Sequence, residues 1–345
     1  MKRVICAVAF FALLCSTLVR AWGAPPLTGV EMMGTTSGNG IVLRFVLAQS
    51  SNGQFFSGVT NLTQLAGIPI FAERVVFHQD NNAQLQVIVS NFNSQVRHAI
   101  RDANGNWTAW GDVLGVVGSI PGTTTDIAMC PSQGVMNVFI LSNNGRLYYA
   151  RRSDSDGTWT RWEDVRSVVG DRGFVLRVAC AASSAGLQVG IVTSDGGLWH
   201  AIRNASSGLW SPFGNVISVA GGGISGITNV GMTVDPSGDM QIMVSTNQRA
   251  LWHSIRSHIT GSWTHWGYVF QQTGSFDVSS ALGPEEISGT LGNFGEVEWV
   301  VDWAGQPYWT TRRLDGTWTQ FQNLKALGLG ADFSSFHVGF YASPL

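Results

Sequence analysis

Leu198-Trp-His-Ala-Ile-Arg203 is followed by a short turn and then by Trp210, and the chain carries five versions of this arrangement. The other versions of the segment are Val96-Arg-His-Ala-Ile-Arg101, Leu147-Tyr-Tyr-Ala-Arg-Arg152, Leu251-Trp-His-Ser-Ile-Arg256 and Pro307-Tyr-Trp-Thr-Thr-Arg312. The tryptophans that follow are Trp107, Trp159, Trp210, Trp263 and Trp318, which lie 52, 51, 53 and 55 residues apart. A fixed period near 50 residues is typical of a radial array of small sheets. The chain is therefore predicted to be a repeat protein.

Each repeat has the pattern of four short antiparallel strands. In the third copy, apolar and β-branched runs at Phe174–Ala182, Leu187–Thr193, Leu198–Arg203 and Leu209–Val216 are separated by turns rich in Gly, Ser and Asn. Such turns every 8–12 residues indicate a chain of hairpins. No helical periodicity is found beyond the N-terminal segment. The pattern predicts an all-β fold, a six-bladed β-propeller of four-stranded antiparallel blades, with seven blades as the less favoured alternative.

The sixth unit lacks the Trp motif. Its predicted second, third and fourth strands are Ile41–Gln49, Gln54–Val59 and Asn61–Leu65. Two segments compete for its innermost strand, Gly29–Met33 and Phe333–Tyr341. We favour the C-terminal segment, because a ring that is closed by both ends of the chain hides its sheet edges.

The N-terminus has the composition of a secretory signal peptide. Lys2 and Arg3 precede an apolar run over 4–19, which is shorter than the ~20 residues of a membrane span. Small residues follow, so cleavage is expected near Ala21. The expected domains are a signal peptide over 1–21 and one propeller over 22–345. We therefore expect a secreted or extracellular protein, periplasmic if bacterial, with no stable membrane insertion.

The composition after residue 21 excludes a broad basic surface. It leaves 17 basic and 22 acidic residues, a net charge of −5, and Lys325 is the only lysine. Nucleic acid is therefore not an expected partner.

Cys130 and Cys180 lie 50 residues apart, at nearly the same place in adjacent repeats. An oxidising compartment permits a disulfide between them, and two buried thiols are the alternative.

Three histidines of the repeat raise the question of a metal site. His98, His200 and His253 occupy equivalent mid-strand positions in different repeats. We expect them to point between blades, whereas a zinc site brings its nitrogens to within ~2.1 Å of one ion. The prediction is that this position packs any flat ring, since Tyr149 and Trp309 replace His elsewhere. No metal or other cofactor is expected.

An Arg ends the third strand of each repeat and a Trp begins the fourth, so the two face each other across a hairpin. One interpretation is a cation–π clamp that stabilises the hairpin. The other is a sugar cradle, in which the indole packs on the C–H face of a sugar and the guanidinium donates to its hydroxyls. The two can coexist. The candidate ligand-binding residues are Trp199, Arg203, Trp210, Trp252, Arg256, Trp263, Tyr148, Arg152, Trp159, Arg101 and Trp107.

A glycoside hydrolase is the main rival interpretation, because secreted six-bladed propellers include sialidases. Asp315-Gly-Thr-Trp318 resembles the end of the sialidase box but lacks its spacing. A glycosidase needs two carboxyl groups ~5–10 Å apart. Four acids share one irregular repeat, Glu285, Glu286, Glu296 and Glu298. We nevertheless predict a protein without catalytic activity; a protein-interaction scaffold is the third alternative.

The segment from Gly186 to Arg203, with 208–216 after it, resembles the repeat of bacterial β-propeller lectins of the Photorhabdus type. Fungal fucose-binding and tectonin-type propeller lectins are similar more distantly. The resemblance covers about residues 71 to 324. It implies several shallow sugar sites around the ring, each lined by aromatic residues and an Arg, with glycans, fucosylated ones among them, as partners. The fifth copy departs from the pattern at Trp309. The sixth lacks the aromatic pair spaced i, i+3 that the other five carry, as at Trp159/Trp162 and Trp210/Phe213.

Overall fold

A computed structural model describes residues 29–36, 40, 42–50, 53–65, 71–80, 82–91, 93–275, 284–292, 294–326 and 333–341. The predicted signal peptide lies outside these residues. The described strands form six four-stranded antiparallel sheets. The first three strands along the chain are β1 (Gly29–Thr36), β2 (Val42–Ser50) and β3 (Gly53–Asn61).

Five sheets repeat one pattern, with their four strands paired in chain order. Blade 1 consists of β4 (Arg74–Gln79), β5 (Leu85–Ser90), β6 (Val96–Arg101) and β7 (Gly111–Asp112), and blade 2 consists of β8 (Thr124–Ser132), β9 (Val135–Ser142), β10 (Leu147–Ser153) and β11 (Glu163–Asp164). Blade 3 consists of β12 (Val175–Ser183), β13 (Gly186–Thr193), β14 (Leu198–Asn204) and β15 (Gly214–Asn215), and blade 4 consists of β16 (Ile227–Val234), β17 (Met240–Thr246), β18 (Leu251–Arg256) and β19 (Gly267–Tyr268). Blade 5 consists of β20 (Pro284–Leu291), β21 (Val297–Trp303), β22 (Gln306–Arg312) and β23 (Gln322–Asn323).

The last strand, β24 (Phe333–Tyr341), joins the first three in a composite sheet with the order β24-β1-β2-β3. The innermost strands contact one another in a closed cycle, β4, β8, β12, β16, β20, β24 and back to β4. The all-β propeller of four-stranded antiparallel blades is thus confirmed. Five of its sheets are regular blades that carry the Arg–Trp motif, and the composite sheet lies between blades 5 and 1.

The composite sheet corrects the strand assignments predicted for the sixth unit. Phe333–Tyr341 is its innermost strand, as favoured above, but the two competing segments both enter the sheet. β1 lies second because it pairs with β24 on one edge and with β2 on the other. β2 is therefore third rather than second, and β3 is outermost. The predicted fourth strand over 61–65 is wrong, since Leu62–Leu65 forms a helical turn, α1.

The remaining described helices are single turns that follow the outermost strands of blades 1 to 4. They are α2 (Val113–Val117), α3 (Arg166–Val169), α4 (Val216–Val219) and α5 (Val269–Thr273). Asp112 and Asn215 cap α2 and α4 by accepting hydrogen bonds from Gly115 N and Ser218 N. Among the described residues, no helix has the length and apolar character needed to cross a membrane.

The core of the fold lies between neighbouring blades. The second strands are almost wholly buried, and every residue of β5, β13, β17 and β21 is buried. Apolar clusters join blades 1 and 2, 2 and 3, 3 and 4, and 4 and 5. Cys130 and Cys180 form a disulfide, with their Cα atoms 6.0 Å apart. This bond joins the innermost strands of blades 2 and 3, which resolves the choice between a disulfide and two thiols.

Candidate functional site

The repeated Arg and Trp face each other across the outer hairpin of each blade. All five pairs, from Arg101–Trp107 to Arg312–Trp318, form an antiparallel backbone bridge. Each guanidinium lies over the glycine of its own turn. In blade 2, a Cβ at Gly157 would lie 2.8 Å from Arg152 Nη2, and Gly157 has a φ of 73°. This turn therefore requires glycine for its backbone conformation and for the close approach of the arginine.

In blades 2 to 5, the motif Trp packs on the blade that precedes it. The indole meets, edge to face, the flat ring that occupies the central position of the preceding third strand. Ring centroids are 5.7 Å apart for His98–Trp159, 5.4 Å for Tyr149–Trp210, 5.4 Å for His200–Trp263 and 5.2 Å for His253–Trp318. These contacts account for the prediction that the histidine position packs flat rings between blades.

The second aromatic residue of each i, i+3 pair strengthens the same junction. Trp162 Nε1 donates a 2.8 Å hydrogen bond to Gly118 O, at the end of α2 in the preceding blade. Arg161 Nη1 donates to Val117 O there, at 3.1 Å. In blade 3, Phe213 is buried in the cluster that joins it to blade 2. The aromatic pair is thus an interblade contact, a role that its regular spacing alone did not reveal.

The predicted cation–π clamp within each hairpin needs correction. In the described part of the chain, the Arg–aromatic stack is formed by Arg172, whose guanidinium carbon lies 4.6 Å from the centroid of Trp199. The motif arginines lie over glycine instead, and the motif tryptophans are held by the preceding blade. Arg and Trp therefore occupy neighbouring walls of a gap between two blades.

Between blades 1 and 2, that gap is an open cavity of about 270 Å³. Blade 2 supplies Arg152, Gly157 and Trp159, and blade 1 supplies the rest of the wall. The blade 1 residues are His98, Gly111, Asp112, Val113 and Val116. Val116 is 63% exposed and offers an apolar rim. We call this space the blade 1–2 cleft, and name the equivalent junctions likewise by their two blades.

The cleft brings together residues of two neighbouring blades, whereas the sequence pattern groups the candidate site residues within single repeats. Arg203 and Trp210 face Tyr149 of blade 2. They do not face Trp199, which lies on the same strand as Arg203. Trp199 pairs with Asn215 at the opposite end of β14, and four residues of strand span about 13 Å. Its Nε1 donates to Thr193 Oγ1 at 3.2 Å.

Two further candidates are also placed differently from expectation. Trp252 likewise lies away from Arg256, against Tyr268. Tyr148, expected to contact sugar, is only 5% exposed and belongs to the core. Arg101 and Trp107 have the composite sheet as their preceding neighbour.

Sequence reasoning missed one polar residue that each blade buries on its second strand. It bonds to the flat ring on the third strand. His98 Nε2 donates to Gln86 Oε1 at 2.7 Å, and the equivalent bonds are Tyr149 OH to Asn137 Oδ1 at 2.7 Å, His200 Nε2 to Gln188 Oε1 at 2.9 Å, His253 Nε2 to Gln241 Oε1 at 3.0 Å and Trp309 Nε1 to Glu298 Oε2 at 2.5 Å. A buried polar group needs such a partner. A single polar residue in an otherwise apolar strand was the available signal.

The histidines of the clefts are neutral at ordinary pH. Burial lowers the pKa of His98, His200 and His253 to about 3, and the arginine of the following blade lowers it further. Burial raises the pKa of Tyr149 to about 12. Within the described ranges, no group of three or more His, Cys, Asp or Glu residues has the arrangement of a metal site.

A second polar region lies at one mouth of the central channel, where a small cavity of about 60 Å³ is lined by residues of the innermost strands. Arg74 Nε lies 3.6 Å from Asp126 Oδ1, and Asp126 Oδ2 accepts a 3.1 Å bond from Val178 N of the next blade. Glu286 accepts bonds from Ser335 Oγ and Phe336 N of β24, both at 3.2 Å. These side chains join the innermost strand of one blade to that of the next.

The acids of the rival hydrolase interpretation divide among three places. Glu296 is buried in the hairpin before β21, where its Oε2 accepts a 2.9 Å bond from Phe294 N. Glu285 and Glu286 line the channel mouth. Burial raises the pKa of Glu286 to about 7, opposed by Arg74. Glu298 is fully buried within blade 5, bonded to Trp309 and to Thr311 Oγ1 at 2.7 Å.

No protein-family model matches the chain, and no curated protein matches it. Solved structures match it across most of its length. The lectin of the fungus Aleuria aurantia, described as a six-bladed β-propeller with a novel fucose recognition mode, is 16% identical, covers 86% of this chain and 95% of its own, and gives a TM-score of 0.55. BP39L lectin from Burkholderia pseudomallei is 16% identical, covers 86% and 81%, and gives 0.55. A variant of AofleA from Arthrobotrys oligospora with three arginines replaced by alanine is 12% identical, covers 88% of each chain, and gives 0.58.

At these identities the likeness establishes a shared fold. The chain has the propeller architecture of fungal and bacterial lectins, and the specific resemblance to the Photorhabdus type stays a prediction.

Proposed function

We propose that this protein is a carbohydrate-binding propeller without catalytic activity, whose sugar sites are the clefts between successive blades. The observation that carries the proposal is the blade 1–2 cleft. It places an indole, a guanidinium and an apolar rim around one open cavity, and the same Arg, Trp and turn glycine recur at the following junctions. An indole face suits the C–H surface of a sugar ring, and a guanidinium donates to hydroxyl oxygens.

The fold neighbours support this proposal by their own properties. Two of them are lectins, and the Aleuria aurantia lectin recognises fucose. A third was studied with three arginines replaced by alanine. We therefore propose glycans, fucosylated ones included, as the partners of this chain. We also infer that the composite sheet acts as the sixth blade, because its innermost strand contacts both β20 and β4.

Secretion is part of the same proposal. The N-terminal segment has the composition of a signal peptide, and the Cys130–Cys180 disulfide suits an oxidising compartment. Expression with and without residues 1–21, followed by detection in medium or periplasm, tests it. Equal retention of both forms in the cytosol would contradict it.

The binding proposal is tested on a glycan array, followed by calorimetry with the sugars that bind. Arg152→Ala is expected to remove binding at the blade 1–2 cleft, because it deletes the hydroxyl donor. Arg151→Ala is the matched control, since neighbouring residues of a strand point to opposite faces. Equal binding by both variants would place the site elsewhere, and absence of any glycan binding would overturn the proposal.

The hydrolase remains the second candidate because three carboxyl-bearing residues meet two arginines at the channel mouth. The acids are Asp126, Glu285 and Glu286, and the arginines are Arg74 and Arg177. We favour the lectin because Glu286 is engaged in joining β20 to β24. Assay of the wild-type protein with fluorogenic sialosides and glycosides discriminates between them. Turnover that disappears in Glu285→Gln or Glu286→Gln would favour the enzyme.

A further inference from the structure

The ring on the third strand differs between clefts, and so does what it offers to a ligand. Histidine occupies this position in the blade 1–2, 3–4 and 4–5 clefts, whereas tyrosine occupies it in the blade 2–3 cleft. The polar partner on the second strand changes with the ring: glutamine accompanies each histidine and asparagine accompanies the tyrosine. The two residues therefore act as a matched pair within each blade.

The glutamines are themselves oriented by a further acceptor. Gln86 Nε2 donates to Asp80 Oδ2 at 2.7 Å, Gln188 Nε2 donates to Ser183 Oγ at 2.9 Å, and Gln241 Nε2 donates to Asp235 Oδ2 at 2.9 Å. A carboxylate only accepts, so the amide NH₂ of Gln86 and Gln241 must face Asp80 and Asp235, and the amide oxygen must face the histidine. Gln188 has the same orientation, with its NH₂ on Ser183 Oγ. An amide oxygen only accepts, so the imidazole must carry its hydrogen on Nε2.

This arrangement fixes the histidine tautomer. Nε2 is engaged inside the blade, so Nδ1 is the nitrogen left for a ligand in the cleft, and it carries a lone pair. A neutral imidazole has one donor and one acceptor nitrogen. The arginine of the following blade lies close enough to the ring to act on it electrostatically, and it offers only donors. Each histidine cleft thus presents one donor group and one acceptor group, next to the indole of Trp159, Trp263 or Trp318.

The tyrosine cleft lacks this combination. Tyr149 uses its hydroxyl hydrogen on Asn137, is 3% exposed, and stacks on Phe139 with ring centroids 5.0 Å apart. Within the described part of the chain, Trp210 Nε1 is buried there without a hydrogen-bond partner. The stacked rings of Tyr149 and Phe139 therefore occupy the place where the other clefts hold an imidazole.

We infer that the three histidine clefts recognise two neighbouring neutral hydroxyl groups of a sugar, the arginine donating to one and histidine Nδ1 accepting from the other, and that the blade 2–3 cleft is not such a site. This inference rests on the proposed sugar-binding function. A hydroxyl group both donates and accepts, so it satisfies either wall. A carboxylate only accepts, and the histidine lone pair repels it. Acidic sugars are therefore disfavoured although an arginine is present.

Exchange of the matched pairs tests the inference. His200→Tyr with Gln188→Asn gives the blade 3–4 junction the pair used in blade 2, and is expected to lower the number of bound sugars by one. Tyr149→His with Asn137→Gln is the reciprocal change and is expected to raise it by one. Calorimetry uses the methyl glycosides of L-fucose, D-galactose, D-mannose and D-glucuronic acid. We expect the neutral sugar that binds best to bind at least tenfold more tightly than the glucuronide.

The outcomes separate this inference from the function on which it rests. If none of these glycosides binds and the array is empty, the proposed function fails. If a neutral sugar binds but neither exchange changes the stoichiometry, or the glucuronide binds best, the inference alone fails.

A measurement on the unmodified protein covers the case in which an exchanged variant does not fold. Long-range ¹H–¹⁵N spectra should show His98, His200 and His253 as neutral rings with hydrogen on Nε2 throughout pH 5 to 8. Hydrogen on Nδ1, or protonation in that range, would overturn the inference.

Discussion

The interblade clefts and the channel mouth are both polar, but they are built by opposite uses of the repeat. In the clefts, each regular blade contributes the same arginine, glycine and tryptophan. At the channel mouth, equivalent positions carry different residues, among them Arg74, Asp126 and Glu286, and each bonds to the next blade. Repetition gives several copies of one potential ligand site. Variation gives a ring in which each blade has a specific neighbour, which favours a single order of closure.

The largest expected effect comes from breaking the ring at the channel. Deletion of residues 333–345 removes β24, whose two faces contact β4 and β20 and whose edge pairs with β1. The edge of β1 would lose its partner strand, and β4 and β20 would lose the contacts that β24 makes with them, so we expect no soluble folded protein. Circular dichroism and size exclusion of the truncated chain provide the measurement. A truncated chain that melts like the full-length protein would show that β24 does not close the ring.

The disulfide is expected to have the next largest effect. Cys130→Ser with Cys180→Ser frees the 50-residue connection between two innermost strands. A bridge of this kind contributes about 2–4 kcal/mol, chiefly through the unfolded chain. We expect chemical denaturation to show a loss in that range with the cleft ligands still bound. A loss of binding equal to the loss of stability would mean that the clefts depend on the central ring.

The repeat made the fold largely predictable, because a 50-residue period and turn residues are local signals. Both closing strands were recognised, but β1 and β24 were treated as competitors, since pairing across the whole chain leaves no local signature. The Arg–Trp pairs were also found from the sequence, because they recur with the same 50-residue period as the strands. Their true neighbours were missed, because Trp159 meets His98 across 61 positions of sequence and the twist of one blade against the next decides that contact.

A smaller effect, visible as a pH dependence, is expected at Glu286. Its pKa is about 7 in the folded protein, above the ordinary value of 4.5. The folded chain therefore binds the Glu286 proton more tightly than the unfolded chain does. The stabilisation that comes from this proton is fully present below pH 4.5 and is lost as pH rises to about 7. Glu286→Gln should remove that part of the slope. Asp302, with a pKa also raised to about 7, leaves a residual slope in the variant.

The measurement is the difference between wild-type and Glu286→Gln unfolding free energies from pH 4 to 9. The difference isolates Glu286 from the cleft histidines, whose lowered pKa gives the opposite slope. Parallel curves would show that Glu286 does not titrate in this range. Loss of binding together with the altered slope would connect the channel mouth to the clefts, against the separation argued above.

The smallest effect on the fold, and a selective one on binding, is expected at Arg256. This side chain is half-buried over Gly261 at the blade 3–4 cleft, where a Cβ would lie 2.8 Å from its Nη2. Arg256→Ala removes the donor of that cleft but leaves its backbone bridge to Trp263 in place. We expect the unfolding free energy to change by less than about 1 kcal/mol, as for surface substitutions that leave the core intact. The number of bound sugars should fall by one.

Arg313→Ala is the matched control, since Arg313 is an exposed arginine beside the hairpin of the next blade. If Arg256→Ala lowers the melting temperature strongly and leaves the stoichiometry unchanged, the arginine stabilises the hairpin and the repeated motif is a device of the fold alone.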